Sequence, residues 1–440
     1  MSYAPISSEP TLDYSKKGRS IHPQEHFSKS NSQNQNRLLK SKRARGSRAK
    51  SLAPESRHGL SWPIIVHCHL AWDWVWQRPQ QFVSRLSQNH KILFVETLPP
   101  DPALASPSAR FRTPEKFPNI TILSLQFPAG RWSDGDYVDA ERRRLVQEFL
   151  AGPAAGQFTD AVQWFYDPMA APAFVDQLGE SLTVYDCMDE LSKFRCAPPN
   201  IAQREAQLLA KADLVFTGGR KLFESKSRQN CNCHFYGCGV DCEHFGLARY
   251  AHTPTPPAMA VLQKPILGYF GVVDERLDYE LISQLADANP NWSVAIIGPT
   301  LKVENDPLPQ RPNLHWLGRQ PYEDLPGFCK AFDVCIMPFA LNESTEFINP
   351  TKALEYMATA RPIVSTPVAD VVRNFGEVIT IGHTADEFIN HCREALEQSK
   401  PAALQRGLQM AQENSWDSIV AHLEEHVSDA LKKKTAVSNL

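Results

Sequence analysis

The residues best suited to chemistry lie between Phe347 and Pro367, in FINPTKALEYMATARPIVSTP. Lys352, Glu355 and Tyr356 fall there within two turns of an expected helix. Asn349 suits a helix N-cap, and Pro350 suits the first helical position, where a missing N–H costs nothing. Ile363-Val364 then begin a short apolar strand ended by Ser365-Thr366-Pro367. Lys352 therefore stands at the positive end of a helix, which is normally unfavourable by about 0.3–1 kcal/mol. An anion docked there removes that cost, because free N–H groups and a lysine together make a phosphate site. On this segment alone, a pairing of Lys352 with Glu355, one turn away on the same face, accounts for it as well.

Two further groups could carry chemistry. In YDCMDELSKF the buried strand Leu182–Tyr185 delivers Asp186, Asp189 and Glu190 to its carboxyl end. They could serve as base, hydroxyl acceptors or metal ligands, with one of them capping the next helix. Cys231, Cys233, Cys238 and Cys242 lie close to His234 and His244. Their spacing lacks the paired C-x2-C arms of common zinc modules, so reduced structural thiols are the expectation there.

The elements that must position these groups read as alternating strands and helices. Pro63–His67 is an apolar strand, Cys68–Gln77 a loop with Trp72, Trp74 and Trp76, Pro79–Asn89 an amphipathic helix and Lys91–Glu96 a strand. That βαβ unit implies a parallel sheet whose ligands gather at the carboxyl ends of its strands, where the tryptophan loop lies. Tryptophans there could stack on a sugar or simply pack. Residues 98–118 are Pro-rich and carry no pattern. Strands follow at Thr121–Leu125, Ala161–Tyr166 and Ala212–Thr217, with helices at Tyr137–Leu150 and Asn200–Ala210. After a Pro/Thr-rich stretch a second series begins: strands at Ile266–Phe270, Ser293–Ile297, Leu314–Leu317 and Asp333–Met337, and helices at Tyr279–Ala288 and Tyr322–Lys330. Leu404–Glu413 and Ile419–Leu431 are terminal helices.

At 440 residues the chain is long enough for two domains. No run approaches the ~18 apolar residues of a membrane span, and no apolar stretch of the signal-peptide kind opens the sequence, so a cytoplasmic protein is expected. The net charge of −3 conceals an asymmetry: residues 1–50 hold eleven Lys/Arg against three Asp/Glu, leaving −11 for the rest. That Ser/Gln/Asn-rich tail cannot bury a core and is expected to be disordered. Its densest part, residues 37–50, could lie on anionic lipid at about 1 kcal/mol per basic residue, or bind nucleic acid without specificity. A solubilising tail is the plainer reading.

The segments ADLVFT (Ala212–Thr217), CGVDCEHF (Cys238–Phe245), GYFGVVDERLDYELI (Gly268–Ile282), HWLGRQPYEDLPGFCKAFDVCIMPF (His315–Phe339) and NPTKALEYMATARPIVST (Asn349–Thr366) occur in this order. Together they resemble the GT-B glycosyltransferases of the family 4-like, group 1 kind. WDWVWQRPQQFVSRL and YDCMDELSKF are similar to a bacterial subgroup implicated in exopolysaccharide and teichuronic-acid-type polymers of the cell surface. The resemblance covers roughly residues 60–430.

It implies an α/β fold of GT-B type: two Rossmann-like, doubly wound parallel-sheet domains facing a cleft. The expected division is a basic tail at 1–58, an acceptor-side domain at 59–248, a linker at 249–263, a nucleotide-sugar domain at 264–412 and a C-terminal helix at 413–440. It further implies transfer of a sugar from a nucleotide-diphosphate donor to a lipid-linked or polysaccharide acceptor without a metal or other cofactor, either with retention, which needs no protein base, or with inversion, for which Asp73 or Asp189 would be the base. Glu355 matches the last Glu of the family's E-x7-E motif and would hold the donor ribose. The first Glu of that motif falls on Phe347, with Glu346 beside it as a substitute. Gly271 matches the glycine that approaches the diphosphate. Val272 stands where an Arg usually follows, so Arg276 becomes the nearest cation and the expected partner of Lys352. Asn349, Pro350, Thr351 and Gly318 complete the expected donor set, with Gly298 near the base. Asp73 and Asp189 are the candidate acceptor-side carboxylates, with Trp72 and Trp74 for the acceptor sugar. No specific nucleic acid is expected as a partner, and the tail would hold the protein peripherally at the inner face of the plasma membrane. The broken motif leaves room for a catalytically degenerate scaffold, and the same fold can also host a nucleotide-sugar epimerase.

Overall fold

The computed structural model of the chain describes residues 62–301 and 308–438. The basic tail and its segment 37–50 lie outside the described residues.

Two sheets organise the chain. The first contains β1 (Ile64–Cys68), β2 (Ile92–Thr97), β3 (Ser108–Arg112), β4 (Ile120–Gln126), β5 (Val162–Phe165), β6 (Leu182–Cys187), β7 (Leu214–Thr217) and β8 (Cys233–Phe235). Their spatial order is β3-β4-β2-β1-β5-β6-β7-β8, parallel throughout except for the antiparallel edge strand β3. The second contains β9 (Ile266–Phe270), β10 (Ser293–Ile297), β11 (Leu314–Trp316), β12 (Val334–Met337), β13 (Ile363–Ser365) and β14 (Thr380–Ile381), ordered β11-β10-β9-β12-β13-β14 with every pair parallel. Central strands such as β1, β9, β10 and β12 are buried on both faces. That is why they read as unbroken apolar runs rather than alternating ones. In both sheets the order reverses beside the first strand, β1 or β9. A crevice opens at such a switch point, above the carboxyl ends of the strands.

Three short strands escape the sequence pattern. β3 lies in the Pro-rich stretch and exposes four of its five residues, so it has no apolar signature. β8 is three residues from the cysteine-rich segment, and β14 only two.

The chain leaves the first sheet earlier than the Pro/Thr-rich residues 249–263 suggest. Val240, Phe245, Ala248 and Met259 already belong to the core of the second domain. The prolines of that stretch pack rather than span: a Cβ on Gly327 would come within 2.5 Å of the Pro254 carbonyl oxygen. The chain then returns. Val240 N–H donates to Asn414 C=O at 2.9 Å, and Val240 pairs with Ser415 as an isolated bridge, so outgoing and returning segments lie side by side. The last helix, Trp416–Ser438, places Trp416, Val420, Leu423 and Val427 in the core of the first domain with Phe82, Trp164 and Phe216. Among the described residues no helix is long and apolar enough to cross a membrane.

Candidate functional site

Two cavities lie between the carboxyl ends of the two sheets, with Trp74 lining both. The larger, about 510 Å³, is bounded on the second domain by Gly271, Gly298, Arg319, Tyr322, Lys352 and Glu355. The glycines permit the approach of the strand ends. Gly271 has φ +153° and Gly298 φ +148°. A Cβ on Gly298 would overlap the Gly271 carbonyl at 1.7 Å, and one on Gly271 would stand 2.5 Å from the Tyr269 hydroxyl. Only glycine fits at either position.

Lys352 opens the seven-residue helix Lys352–Ala358, with Thr351 as its N-cap residue. The helix thus starts two residues later than Asn349 and Pro350 suggest. Asn349 donates instead to the Gly218 carbonyl at 3.1 Å, and Pro350 precedes the helix. Two turns make a weak dipole, so the positive charge here resides in the Lys352 ammonium. Its Nζ lies 5.2 Å from the centre of the Phe270 ring and 3.5 Å from Glu355 Oε2. Glu355 is 8 % exposed, and its Oε2 has no hydrogen-bond partner. Burial raises its pKa above the usual carboxylate range, against the pull of Lys352. A buried acceptor with open valences beside a cation, in a cavity of this size, is equipped to take hydroxyl donors and an anion together.

The smaller cavity, about 140 Å³, is lined by His69, Trp74, Asp189, Phe194, Val272 and Arg276 among others. Arg276 Nε and Nη2 fork onto Asp274 at 2.9 and 2.7 Å, and the guanidinium lies 5.7 Å from the Phe194 ring centre. Burial works against this charge, but Asp274 more than compensates and the Arg276 pKa lies above its usual value. Asp189 is half-buried, and its carboxylate makes no hydrogen bond to any described residue. Burial raises its pKa, while Arg276 and His69 oppose the rise. His69 Nδ1 lies 3.1 Å from the Tyr166 carbonyl. A carbonyl only accepts, so in the neutral ring Nδ1 carries the proton and Nε2 is the acceptor.

Residues 265–398 match the family model for glycosyl transferases group 1. That match lies wholly within the second domain. Over 292 residues the chain is 24% identical to TuaH of Bacillus subtilis (strain 168), a protein named as a glycosyltransferase of teichuronic acid biosynthesis; the match covers 60% of this chain and 71% of that one. Its fold is shared with a UDP-forming alpha,alpha-trehalose-phosphate synthase from Burkholderia xenovorans (TM-score 0.63, 11% identity, 84% of this chain and 99% of that one). Sucrose-phosphate synthase from Thermosynechococcus elongatus is alike (TM-score 0.62, 14% identity, 84% and 100%). So is an E. coli trehalose-6-phosphate structure bound with UDP-2-fluoro glucose (TM-score 0.60, 13% identity, 84% and 99%). The architecture is GT-B, two parallel-sheet α/β domains.

In the second domain, Gly271, Lys352 and Glu355 line the larger cavity together. Other expected members stand elsewhere. Arg276 opens onto the smaller cavity, its fork committed to Asp274. Glu346 faces the first domain, ion-paired with Lys221, and does not line the larger cavity. Phe347 packs against the first-domain core. Gly318, with φ +65°, accepts the Gly298 N–H at 2.8 Å and so holds the turn rather than the cavity wall. Thr351 Oγ1 lies 3.3 Å from Lys352 Nζ.

On the acceptor side, Asp73 is an exposed rim residue ion-paired with Arg112. Trp72 lines the larger cavity but is 4 % exposed and packed edge-on against Trp76, Phe94 and Phe117. Trp74 remains at the cavity wall. Of the three carboxylates after β6, Asp186 is buried in an ion pair with Arg78 at 2.9 Å and Glu190 pairs with Lys226 at 2.7 Å; Asp189 alone lines a cavity. Among the described residues no group of three or more His, Cys, Asp or Glu could hold a metal ion.

Sequence reasoning missed His69, Arg319 and Tyr322. His69 follows β1 directly, and the carboxyl-end rule used for the tryptophan loop would have flagged it. Arg319 gave no local signal. Its Nη2 reaches across to the carbonyls of Asp73 and Trp74 at 2.7 and 2.9 Å, contacts that only the fold creates.

Proposed function

We propose that this chain transfers a sugar from a nucleotide-diphosphate donor to a lipid-linked or polysaccharide acceptor in cell-surface polysaccharide synthesis. The observation that carries the reading is the buried Glu355 Oε2, which accepts no hydrogen bond and faces Lys352 at 3.5 Å, in a cavity of about 510 Å³. A carboxylate accepts from the two hydroxyls of a ribose diol, and the ammonium meets the diphosphate. The teichuronic acid name of the Bacillus subtilis relative supports the class of polymer.

In the reaction the bond between the anomeric carbon and the diphosphate oxygen breaks, its electron pair leaving with the diphosphate. Lys352 stabilises that charge, and no metal is required for it. A bond forms from the acceptor oxygen to the anomeric carbon. With retention, the acceptor proton passes to the departing phosphate oxygen, and Asp189 orients the hydroxyl. The unpartnered Asp189 favours a second reading, inversion, in which its carboxylate takes the proton as general base. NMR of the product's anomeric proton separates the two.

The protein would work in the cytoplasm, held at the inner face of the plasma membrane by residues 37–50. The decisive first experiment is a thermal-shift screen of the wild type against UDP-, GDP-, ADP- and dTDP-sugars. It is followed by donor turnover in Lys352→Ala and Glu355→Ala. Stabilisation by one donor class, with turnover lost in both folded variants, is the expected outcome. Full activity in both variants would overturn the assignment, and binding of no nucleotide would favour a degenerate scaffold.

A further inference from the structure

The polar part of the smaller cavity is built mostly from hydrogen-bond acceptors. Asp189 presents a carboxylate that accepts no hydrogen bond from any described residue. His69 turns its Nδ1 to the Tyr166 carbonyl at 3.1 Å, which leaves Nε2 of the neutral ring as an acceptor. Glu275 lines the same cavity. Its Oε1 accepts the Arg195 N–H at 3.1 Å, and its buried Oε2 accepts no hydrogen bond.

The carboxylates around this cavity are unequally compensated. Asp274 holds both Nε and Nη2 of Arg276, at 2.9 and 2.7 Å. Glu275 has Arg195, whose Nε lies 3.3 Å from Oε2. Asp189 has no ion pair among the described residues, and among them no lysine or arginine other than Arg276 lines the cavity. The cation of this wall is therefore already committed, and the charge left over is negative.

A ligand that fits such a wall brings donors and no anion. A sugar hydroxyl or an ammonium can donate to Asp189, to His69 Nε2 and to Glu275 Oε2. An ionised acid group offers only lone pairs, and it would place a second negative charge beside Asp189 with no cation free to pair it.

We propose that the sugar at the reactive end of the acceptor carries no acid group, and that Asp189 enforces this by excluding uronates and sugar phosphates from the smaller cavity. This rests on the reading above, in which Asp189 meets the acceptor hydroxyl. The two cavities then select by opposite signs: Lys352 calls for an anion in the larger, and Asp189 forbids one in the smaller.

Saturation-transfer NMR titrations of the full chain test the selection. The probes are methyl pyranosides of gluco, galacto and manno configuration, each as the neutral sugar, the 2-amino sugar and the 6-carboxylate. In the wild type, the configuration that binds should do so in its neutral and amino forms about tenfold or more tightly than as its 6-carboxylate. Asp189→Asn should bring the neutral and carboxylate forms within about threefold of each other. Glu275→Gln removes a charge that Arg195 already answers, so the wild-type preference should persist within about twofold. A carboxylate that binds the wild type as well as the neutral sugar overturns the proposal. So does a preference that survives in Asp189→Asn, or one lost equally in Glu275→Gln. If no glycoside binds while a nucleoside diphosphate does, the acceptor assignment of this cavity fails and the proposal with it, leaving the donor reading intact. If neither binds, both fail. The wild-type ranking needs no variant and decides the matter even if Asp189→Asn does not fold.

Discussion

Replacing Glu355 with glutamine keeps the length of the side chain while removing its charge and one of its two acceptor oxygens. In the free protein this carboxylate is buried, lacks a hydrogen-bond partner at Oε2, and has Lys352 at 3.5 Å, a separation too long for a strong hydrogen bond. Little therefore rewards its charge, and Glu355→Gln should leave the fold as stable as before or more so. In the nucleotide complex each hydrogen bond to a charged acceptor contributes about 1.5–3 kcal/mol, so losing one ribose contact should weaken binding about 10- to 150-fold. One effect opposes this: Lys352, freed of its carboxylate, attracts diphosphate more strongly, by up to about 1 kcal/mol for a partly exposed pair. The two separate in a four-way calorimetric comparison of wild type and variant with a nucleoside diphosphate and its 2′,3′-dideoxy analogue. With the analogue the variant should bind as well as the wild type or slightly better. An equal loss on both ligands would refute assignment of Glu355 to the ribose.

Three more outcomes follow from the site. Burial raises the Glu355 pKa in the folded protein above its unfolded value, so the folded state binds the extra proton and stability falls as pH rises through the window between the two. Donor affinity should move oppositely, falling as pH drops through the raised pKa, above the ordinary Glu value of about 4.3; Glu355→Gln should flatten both curves, in melts and in calorimetry. Asp189→Asn should leave nucleotide affinity unchanged and slow transfer by about 100-fold or more, and unaltered transfer at saturating acceptor would remove Asp189 from the chemistry. Trp72→Ala should cost about 3–5 kcal/mol of stability in urea titration, as a buried aromatic does; undiminished stability with weakened acceptor binding would return Trp72 to the sugar site.

The central strands were legible because each is buried on both faces and so appears as an apolar run between polar stretches. Lys352 and Glu355 were legible for a different reason, since a cation at a helix start and a carboxylate one turn on are local facts. What escaped was set by distant partners. Arg276 looked like the free cation nearest Gly271, yet its fork closes on Asp274, two residues away, a pairing that spacing permits but does not dictate. Asn349 has the composition of an N-cap, but the Gly218 carbonyl competes successfully for its amide. Trp72 lies in a loop at the cleft and lines the larger cavity, and only the surrounding Phe94 and Phe117 show how much of it is packed away. Phe347 is half-buried, packed against the first-domain core with the Lys221 ammonium 5.2 Å from its ring centre, contacts that only the fold creates.

The returning helix Trp416–Ser438 also governs how the molecule can be made. During synthesis the first sheet emerges from the ribosome long before Trp416, Val420, Leu423 and Val427, which cover Phe82, Trp164 and Phe216. Until that helix has emerged the face has no lid, and the newly made half presents an apolar surface to chaperones and to other nascent chains. A protein fragment ending before Trp416 keeps the surface permanently open. Production of the first domain by itself should therefore end in aggregates unless the terminal helix is supplied, in the same chain or as a separate peptide.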